Sequence, residues 1–212
     1  MIDQEILRGA EAHLRRRDKK LARLIEAHGP CTLGERRRDP FHVLCCAIIG
    51  QQLSSRAADT IESRVAAAAG ARARFRPAHF LEMAPESLRL CGLSNAKARW
   101  LKALAEACAG DPAYFRKLRR MDDTDAIEAL DALPGIGRWT AEMFLIFALD
   151  RLDIFSLGDA GLRRGLNRIH NGGEKLDDDA SLVITAKWAP YRSVGSWYLW
   201  RAADTKALPT EV

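Results

Sequence analysis

The 212-residue sequence predicts an all-α fold. Three observations carry that expectation. Apolar residues recur at the spacing of a single helix face through almost every segment. Aspartate, serine and proline stand where those patterns begin, and glycine where they end. No stretch combines strand propensity with strand boundaries well enough to make a convincing sheet.

Residues 3–28 carry Ile6, Leu7, Leu14, Leu21, Leu24 and Ile25 between charges, a helical pattern. Asp39-Pro40 is a helix start, with an aspartate to cap and a proline suited to the first turn. The helix from Phe41 to Gly50 is apolar nearly all round, which marks a core helix. Gln51-Gln52-Leu53-Ser54 breaks that pattern. Ser54 or Ser55 then caps a helix that runs through Ile61 to the alanines at 66–69 and stops at Gly70. Arg72 to Pro77 is a basic connection. Pro85-Glu86-Ser87-Leu88 opens a short helix, and Ser94 to Ala109 forms a longer one that Gly110-Asp111-Pro112 stops.

Thr124 is expected to cap a helix from Asp125 to Leu133, with Ile127, Leu130 and Leu133 on one face. Helices follow at Arg138 to Leu149 and at Leu162 to Ile169, and Asn171-Gly172-Gly173 is a flexible loop. The last two run over roughly 179–188 and 191–203. Leu182-Val183-Ile184-Thr185 has strand propensity, but residues 177–181 before it look like a helix cap. The tail from Leu208 is expected to fray.

Hydrophobic residues make up 48% and charged residues 29%, the balance of a globular protein with a real core rather than of a disordered chain. A formal net charge of +5 is compatible with a nucleic acid partner without requiring one. The first residues lack the apolar core of a signal peptide, and no apolar run approaches a membrane span. The expectation is a cytoplasmic protein, nucleoid-associated if bacterial, with no membrane partner. The five cysteines, at 31, 45, 46, 91 and 108, include no Cys-x-x-Cys pair. Reduced, buried thiols are therefore expected, not a zinc site or a disulfide framework. No histidine is read as part of a metal-like pair, and no divalent ion is expected. There is no internal repeat.

The most informative stretch is Leu133-Pro134-Gly135-Ile136-Gly137-Arg138-Trp139-Thr140-Ala141. A tight Pro-Gly-x-Gly turn between two helical patterns bares its amides. The following helix aims its unpaired N–H groups outward, a site for a phosphate oxygen. Downstream, Asp159 is a carboxylate in the mostly apolar segment 154–159. Backbone phosphate capture plus one placed acid points to chemistry on DNA. From position alone Asp159 is equally well a plain helix N-cap.

These residues resemble the helix-hairpin-helix (HhH-GPD) DNA glycosylase superfamily, in its 3-methyladenine DNA glycosylase II, or alkylpurine, branch. The matching elements occur in the family's order: Ile48 to Ser54 with Ala57 and Ala58, Gly92-Leu93-Ser94 with Lys97, Leu133 to Ala141, Phe155 to Asp159, and Ala189 to Ser193 through Trp200. The resemblance implies one glycosylase unit over 1–212. Within it, two helical lobes flank an active-site cleft. About 40–150 forms the middle lobe ending in the hairpin, and about 1–39 joins 151–212 in the other. It also implies the minimal form, without the extra N-terminal β domain of some relatives.

The resemblance assigns roles residue by residue. Asp159 stands where the family keeps its catalytic aspartate, beside the oxocarbenium-like sugar that forms when the glycosidic bond breaks. Strand-cutting relatives carry a nucleophilic lysine where this chain has Trp139, so the implied enzyme is monofunctional and leaves an abasic site. No cysteine follows Cys108, which excludes the four-cysteine iron–sulfur site of some bifunctional relatives. Trp139 and Trp200 align with pocket tryptophans that suit a cationic, alkylated purine. Met143 replaces a pocket tyrosine of an alkyladenine relative and leaves the substrate range open. Gln52 is in register with the side chain that fills the gap left by a flipped base, and Leu53 is its neighbouring candidate.

Gly135 and Gly137 are expected to grip a phosphate, with Arg138 adding charge. The carbonyls of Asp131, Leu133 and Ile136 correspond to those that hold Na+ or K+ in the family, and no other cofactor is implied. Asp150, Asp153 and the Arg15-Arg16-Arg17 run with Lys19 and Lys20 read as solvated, and Tyr191 and Trp197 as packing. Arg36–Arg38 is left open as a DNA contact. The implied partner is double-stranded DNA with damaged bases, and the default state is a monomer. Two alternatives stay open: a glycosylase for neutral damaged bases such as hypoxanthine, ethenoadenine or uracil, and a non-catalytic DNA-binding module.

Overall fold

The computed structural model describes residues 1–35 and 38–204, so Arg36, Arg37 and the tail from Leu208 lie outside the described residues. Among them are thirteen helices and no strand. In chain order these are α1 Gln4–Arg17, α2 Lys19–His28, α3 Pro40–Gly50, α4 Ser55–Ala68, α5 Pro77–Glu82, α6 Pro85–Leu90, α7 Asn95–Gly110, α8 Tyr114–Leu118, α9 Asp123–Asp131, α10 Arg138–Ala148, α11 Ala160–His170, α12 Asp178–Ala186 and α13 Arg192–Asp204. No helix is long and apolar enough to cross a membrane.

The backbone divides into two compact units. One joins the described residues before Arg36 to Leu145 and beyond; the other is Arg38–Phe144. The boundary between them lies inside α10.

In the first unit, α13 packs on α1, α2 and α11. Leu7, Leu14, Leu21, Leu166, Val194 and Leu199 are buried there. The helical pattern over 3–28 proves to be two helices, because Asp18 interrupts it. Its backbone is extended, and its Oδ1 accepts the amides of Lys20 and Leu21, both at 3.0 Å. A side chain that offers amides this alternative ends one helix and starts the next. Asp18 Oδ2 accepts the Trp188 indole N–H at 2.9 Å and lies 3.3 Å from His170 Nε2. Burial opposes the charge on Asp18. Its bonds with His170, the Leu21 amide and Trp188 outweigh that and hold the carboxyl at about 2.

In the second unit α7 is central, packing against α3, α5, α6 and α8 through Ala98, Leu101, Leu104 and Ala105. Phe80, on α5, lies 5.3 Å from Phe75 and 6.0 Å from Phe41 between ring centroids. The cap before α9 is Asp122, whose Oδ1 accepts the Asp125 amide at 2.8 Å, not Thr124. Ser54 caps α4 and Ser94 caps α7. Leu182 to Thr185 is helical, inside α12, which Asp177 caps through the Ala180 amide. All five thiols are free, and only Cys46 is less than fully buried. Burial pushes Cys31 and Cys108 up to about 12.

Asp18→Asn can keep the cap but removes the charge, and its amide nitrogen cannot accept the Trp188 indole N–H as Oδ2 does. A folded value near 2 against 3.8 unfolded means stability present above 3.8 and lost as pH falls toward 2. The substitution is expected to lower the unfolding free energy by about 2 kcal/mol at neutral pH. Urea unfolding across a pH series should show the deficit shrinking only below 3.8.

Candidate nucleic-acid interface and active site

In the first unit, Asp159 is the N-cap of α11. Its Oδ1 accepts the Leu162 amide at 2.7 Å and the Trp200 indole N–H at 3.0 Å. Only 8% of the residue is exposed. The indole of Trp200 in turn lies against Phe147, with ring centroids 5.4 Å apart and planes 31° apart. The carboxylate is therefore oriented by one backbone and one side-chain donor, in the positive field of a helix start.

Two glycines make this seat. A β-carbon on Gly165 would meet the Leu199 carbonyl at 2.6 Å, so α11 and α13 approach closely only because that carbon is absent. One turn earlier, a β-carbon on Gly161 would stand 3.1 Å from both Asp159 Oδ1 and Trp200 Cδ1. Neither glycine is legible as a site residue, although two glycines four apart on one helix face are a signal of close helix packing.

In the second unit, α9, the turn 132–137 and α10 form a helix-hairpin-helix. The Ile136 amide closes the turn onto the Leu133 carbonyl at 3.1 Å, and Ile136 is buried. Gly135 has φ +82°, and a β-carbon there would overlap the ring of Trp100. Gly137 differs: its nearest neighbour would be Asp131 Oδ1, at 4.0 Å. The first bond of α10 runs from the Ala141 amide to the Gly137 carbonyl, leaving earlier amides unused by the helix ladder.

The loop after α3 is tied to this hairpin. Gln51 Nε2 donates to the Gly135 carbonyl at 2.7 Å. Lys97 Nζ donates to the carbonyls of Ile49 at 2.8 Å and Gln51 at 2.6 Å, closing the end of α3. Directly after these anchors Gln52 takes φ +59° and is exposed, as is Leu53 at 37%. A left-handed backbone costs a non-glycine residue about 1–2 kcal/mol. Strain held by a supporting network at an exposed loop tip is a mark of a functional segment.

Comparison with known proteins agrees with this geometry. Residues 45–190 match the model of the HhH-GPD superfamily base excision DNA repair protein. The chain belongs to the HhH-GPD superfamily. It is 33% identical to DNA-3-methyladenine glycosylase 1 of Schizosaccharomyces pombe, over 92% of this chain and 86% of that one. It is 30% identical to the alkylbase DNA glycosidase-like protein mag2 of the same yeast, over 91% and 92%. Among solved structures, DNA-3-methyladenine glycosidase from Bacillus halodurans superposes with a TM-score of 0.82 at 36% identity, over 91% of this chain and 88% of that one. The Schizosaccharomyces pombe 3-methyladenine DNA glycosylase in complex with abasic DNA gives 0.80 at 30% identity, over 95% and 100%.

The remaining superfamily positions fall as follows. Trp139 and Met143 lie one turn apart on α10, Trp139 48% exposed and Met143 half-buried. Exposure of that size argues against a core role for Trp139. Arg138 is exposed, but its Nε bonds Glu142 at 3.0 Å, which offsets part of its charge. The Leu133 carbonyl accepts one bond and retains a second lone pair. Neutral carbonyl oxygens such as those of Asp131, Leu133 and Ile136 suit a hard monovalent cation.

Asp150 and Asp153 are not simply solvated. Asp153 holds Arg192 through two bonds, at 2.8 and 2.9 Å, and Asp150 pairs with the Met1 ammonium. Arg15, Arg16, Arg17, Lys19 and Lys20 are exposed. Tyr191 packs edge-on to His13, and Trp197 packs edge-on to Tyr198. His42 and Cys46, one turn apart on α3, do converge in a metal-like pair, against the sequence expectation.

The two hairpin glycines give a paired test. Gly135→Ala is expected to lose roughly 2 kcal/mol or more of stability, from overlap and strain together. Gly137→Ala should change stability by no more than about 0.5 kcal/mol. It should nonetheless weaken duplex binding about tenfold by crowding an amide donor. Thermal melts and fluorescence anisotropy, run on both variants, check the contrast.

Proposed function

We propose that this protein is a monofunctional DNA glycosylase that excises alkylated purines of the 3-methyladenine and 7-methylguanine type, leaving an abasic site. The observation that carries the reading is the seat of Asp159, a nearly buried carboxylate oriented by the Leu162 amide and the Trp200 indole. Capping α11 requires only the Leu162 amide; the second donor, the Trp200 indole, fixes the orientation of the acid beyond what a cap needs. The relatives named as 3-methyladenine glycosylases support the substrate class.

Alkylation at N3 or N7 makes the purine cationic, so the glycosidic bond breaks with its electron pair neutralising the departing base. The deoxyribose is left with oxocarbenium character, and Asp159 stabilises that charge. Water then adds to C1′ and gives its proton to the carboxylate. The exposed indole of Trp139 offers a face to the cationic base through stacking and cation–π attraction. Trp139 stands directly after Arg138, where strand-cutting relatives carry lysine, and an indole cannot form a Schiff base. The abasic strand therefore stays intact.

Gln52, with Leu53 beside it, fills the space that a flipped nucleotide vacates. The amides of Gly135 and Gly137 and the charge of Arg138 hold a backbone phosphate. The carbonyls of Asp131, Leu133 and Ile136 would hold Na+ or K+ beside that phosphate and supply positive charge. The double-stranded DNA partner is served by a single chain, and we read the working form as a cytoplasmic monomer.

Base release from methylated duplex DNA tests the reading. Wild-type protein should free methylpurines, with strand breaks appearing only after alkali. Asp159→Asn should release them at least about 100-fold more slowly while still binding DNA. Breaks without alkali would rule out the monofunctional assignment. Release of hypoxanthine or ethenoadenine in preference to methylpurines would move the substrate to neutral lesions.

A further inference from the structure

A second cluster of reactive side chains lies in the Arg38–Phe144 unit and has no part in the chemistry proposed for Asp159. His42 and Cys46 stand one turn apart on α3, so they share a helix face. Glu62 reaches them from α4. One ligating atom from each, an imidazole nitrogen, Cys46 Sγ and a carboxylate oxygen, lies within 4.8 Å of the others. All three residues are half-buried. Both His42 ring nitrogens are 3.7 Å from Cys46 Sγ.

Two features make this more than a chance gathering. The cluster opens on a pocket of about 200 Å³ that His42 and Glu62 line, with room for a fourth, exchangeable ligand. Its donors are nitrogen, sulfur and oxygen, the set that selects a borderline-soft transition ion over calcium or magnesium. Arg74, at the pocket rim, is directed to Asp39 at 3.2 Å and so has its charge met elsewhere.

We propose that His42, Cys46 and Glu62 bind a zinc-class divalent ion with one position left to water, clamping α3 to α4. On binding, Cys46 loses its thiol proton to solvent and its sulfur becomes a thiolate ligand. Without the ion, burial and the neighbouring Glu62 carboxylate hold that thiol protonated, which makes it a poor nucleophile. His42 Nδ1 accepts the Phe75 amide at 3.3 Å, a long bond. A metal on Nδ1 would compete with that bond, while Nε2 lies equally near Cys46 Sγ. The clamp lies along the two helices that flank Gln52 and Leu53, on the side away from that loop.

Cobalt(II) titration of the reduced full-length protein tests the site through the thiolate-to-cobalt charge-transfer band, with zinc added afterwards as competitor. The wild type should develop the band at one equivalent and lose it to zinc. Cys46→Ser should abolish the band, and Glu62→Gln, a change at a half-buried side chain, should weaken cobalt affinity by at least about tenfold. Circular dichroism confirms that both variants are folded. The absence of a band in the wild type overturns the proposal. So does a band that survives in Cys46→Ser, because another thiol would then be the ligand. Metal binding is read independently of base release, so failure of one leaves the other standing.

Discussion

The position of Asp159 depends on α11 and α13 approaching more closely than side chains ordinarily permit, through the missing β-carbons of Gly161 and Gly165. That approach lets the Trp200 indole donate to the carboxylate that already caps α11. Phe147 then backs the indole on its other side. A cap, a packing contact and the carboxylate that we propose as the catalytic acid are thereby the same few atoms. Any change that widened the helix pair would loosen all three together, which is why rigid helices rather than loops carry the acid.

The same economy appears in the Arg38–Phe144 unit. Lys97 satisfies the carbonyls of Ile49 and Gln51 at the end of α3, and the Gln51 side chain donates to Gly135 in the hairpin. Gln51 is thus held by Lys97 through its backbone and tied to the hairpin turn through its side chain, directly before Gln52. The left-handed backbone at Gln52 is flanked by Gln51, which Lys97 holds, and by Leu53, whose amide donates to the Gly50 carbonyl at 3.1 Å. A loop held in this way spends little ordering entropy on meeting a ligand.

Much of this was legible in the sequence because helix starts and stops carry local signals. Asp39, Ser54, Ser94 and Asp177 all cap where their residue type and neighbours suggest. The failures are also local. Helices α5 and α8 are too short to show a period, and Asp18 looks like any charge on a helix until Trp188 and His170 reach it. Thr124 and Asp122 are both competent caps, and only the extended backbone at Asp122 decides between them. The helix-hairpin-helix was plain from Pro134, Gly135 and Gly137. The bond between Trp200 and Asp159 was not, because it joins residues 41 apart and depends on glycines that appear to do nothing.

Gly135 and Gly137 look interchangeable in the sequence, yet they answer to different constraints. Gly135 is fitted to the face of Trp100, an internal partner 35 places earlier in the chain, whereas among the described residues nothing comes nearer than 4.0 Å to a β-carbon on Gly137. Over evolutionary time the first should drift only in concert with position 100, as matched halves of one contact. Among the described residues the second has no such close contact to co-vary with. If Gly137 meets a phosphate as proposed, its constraint comes from the DNA that must approach its backbone.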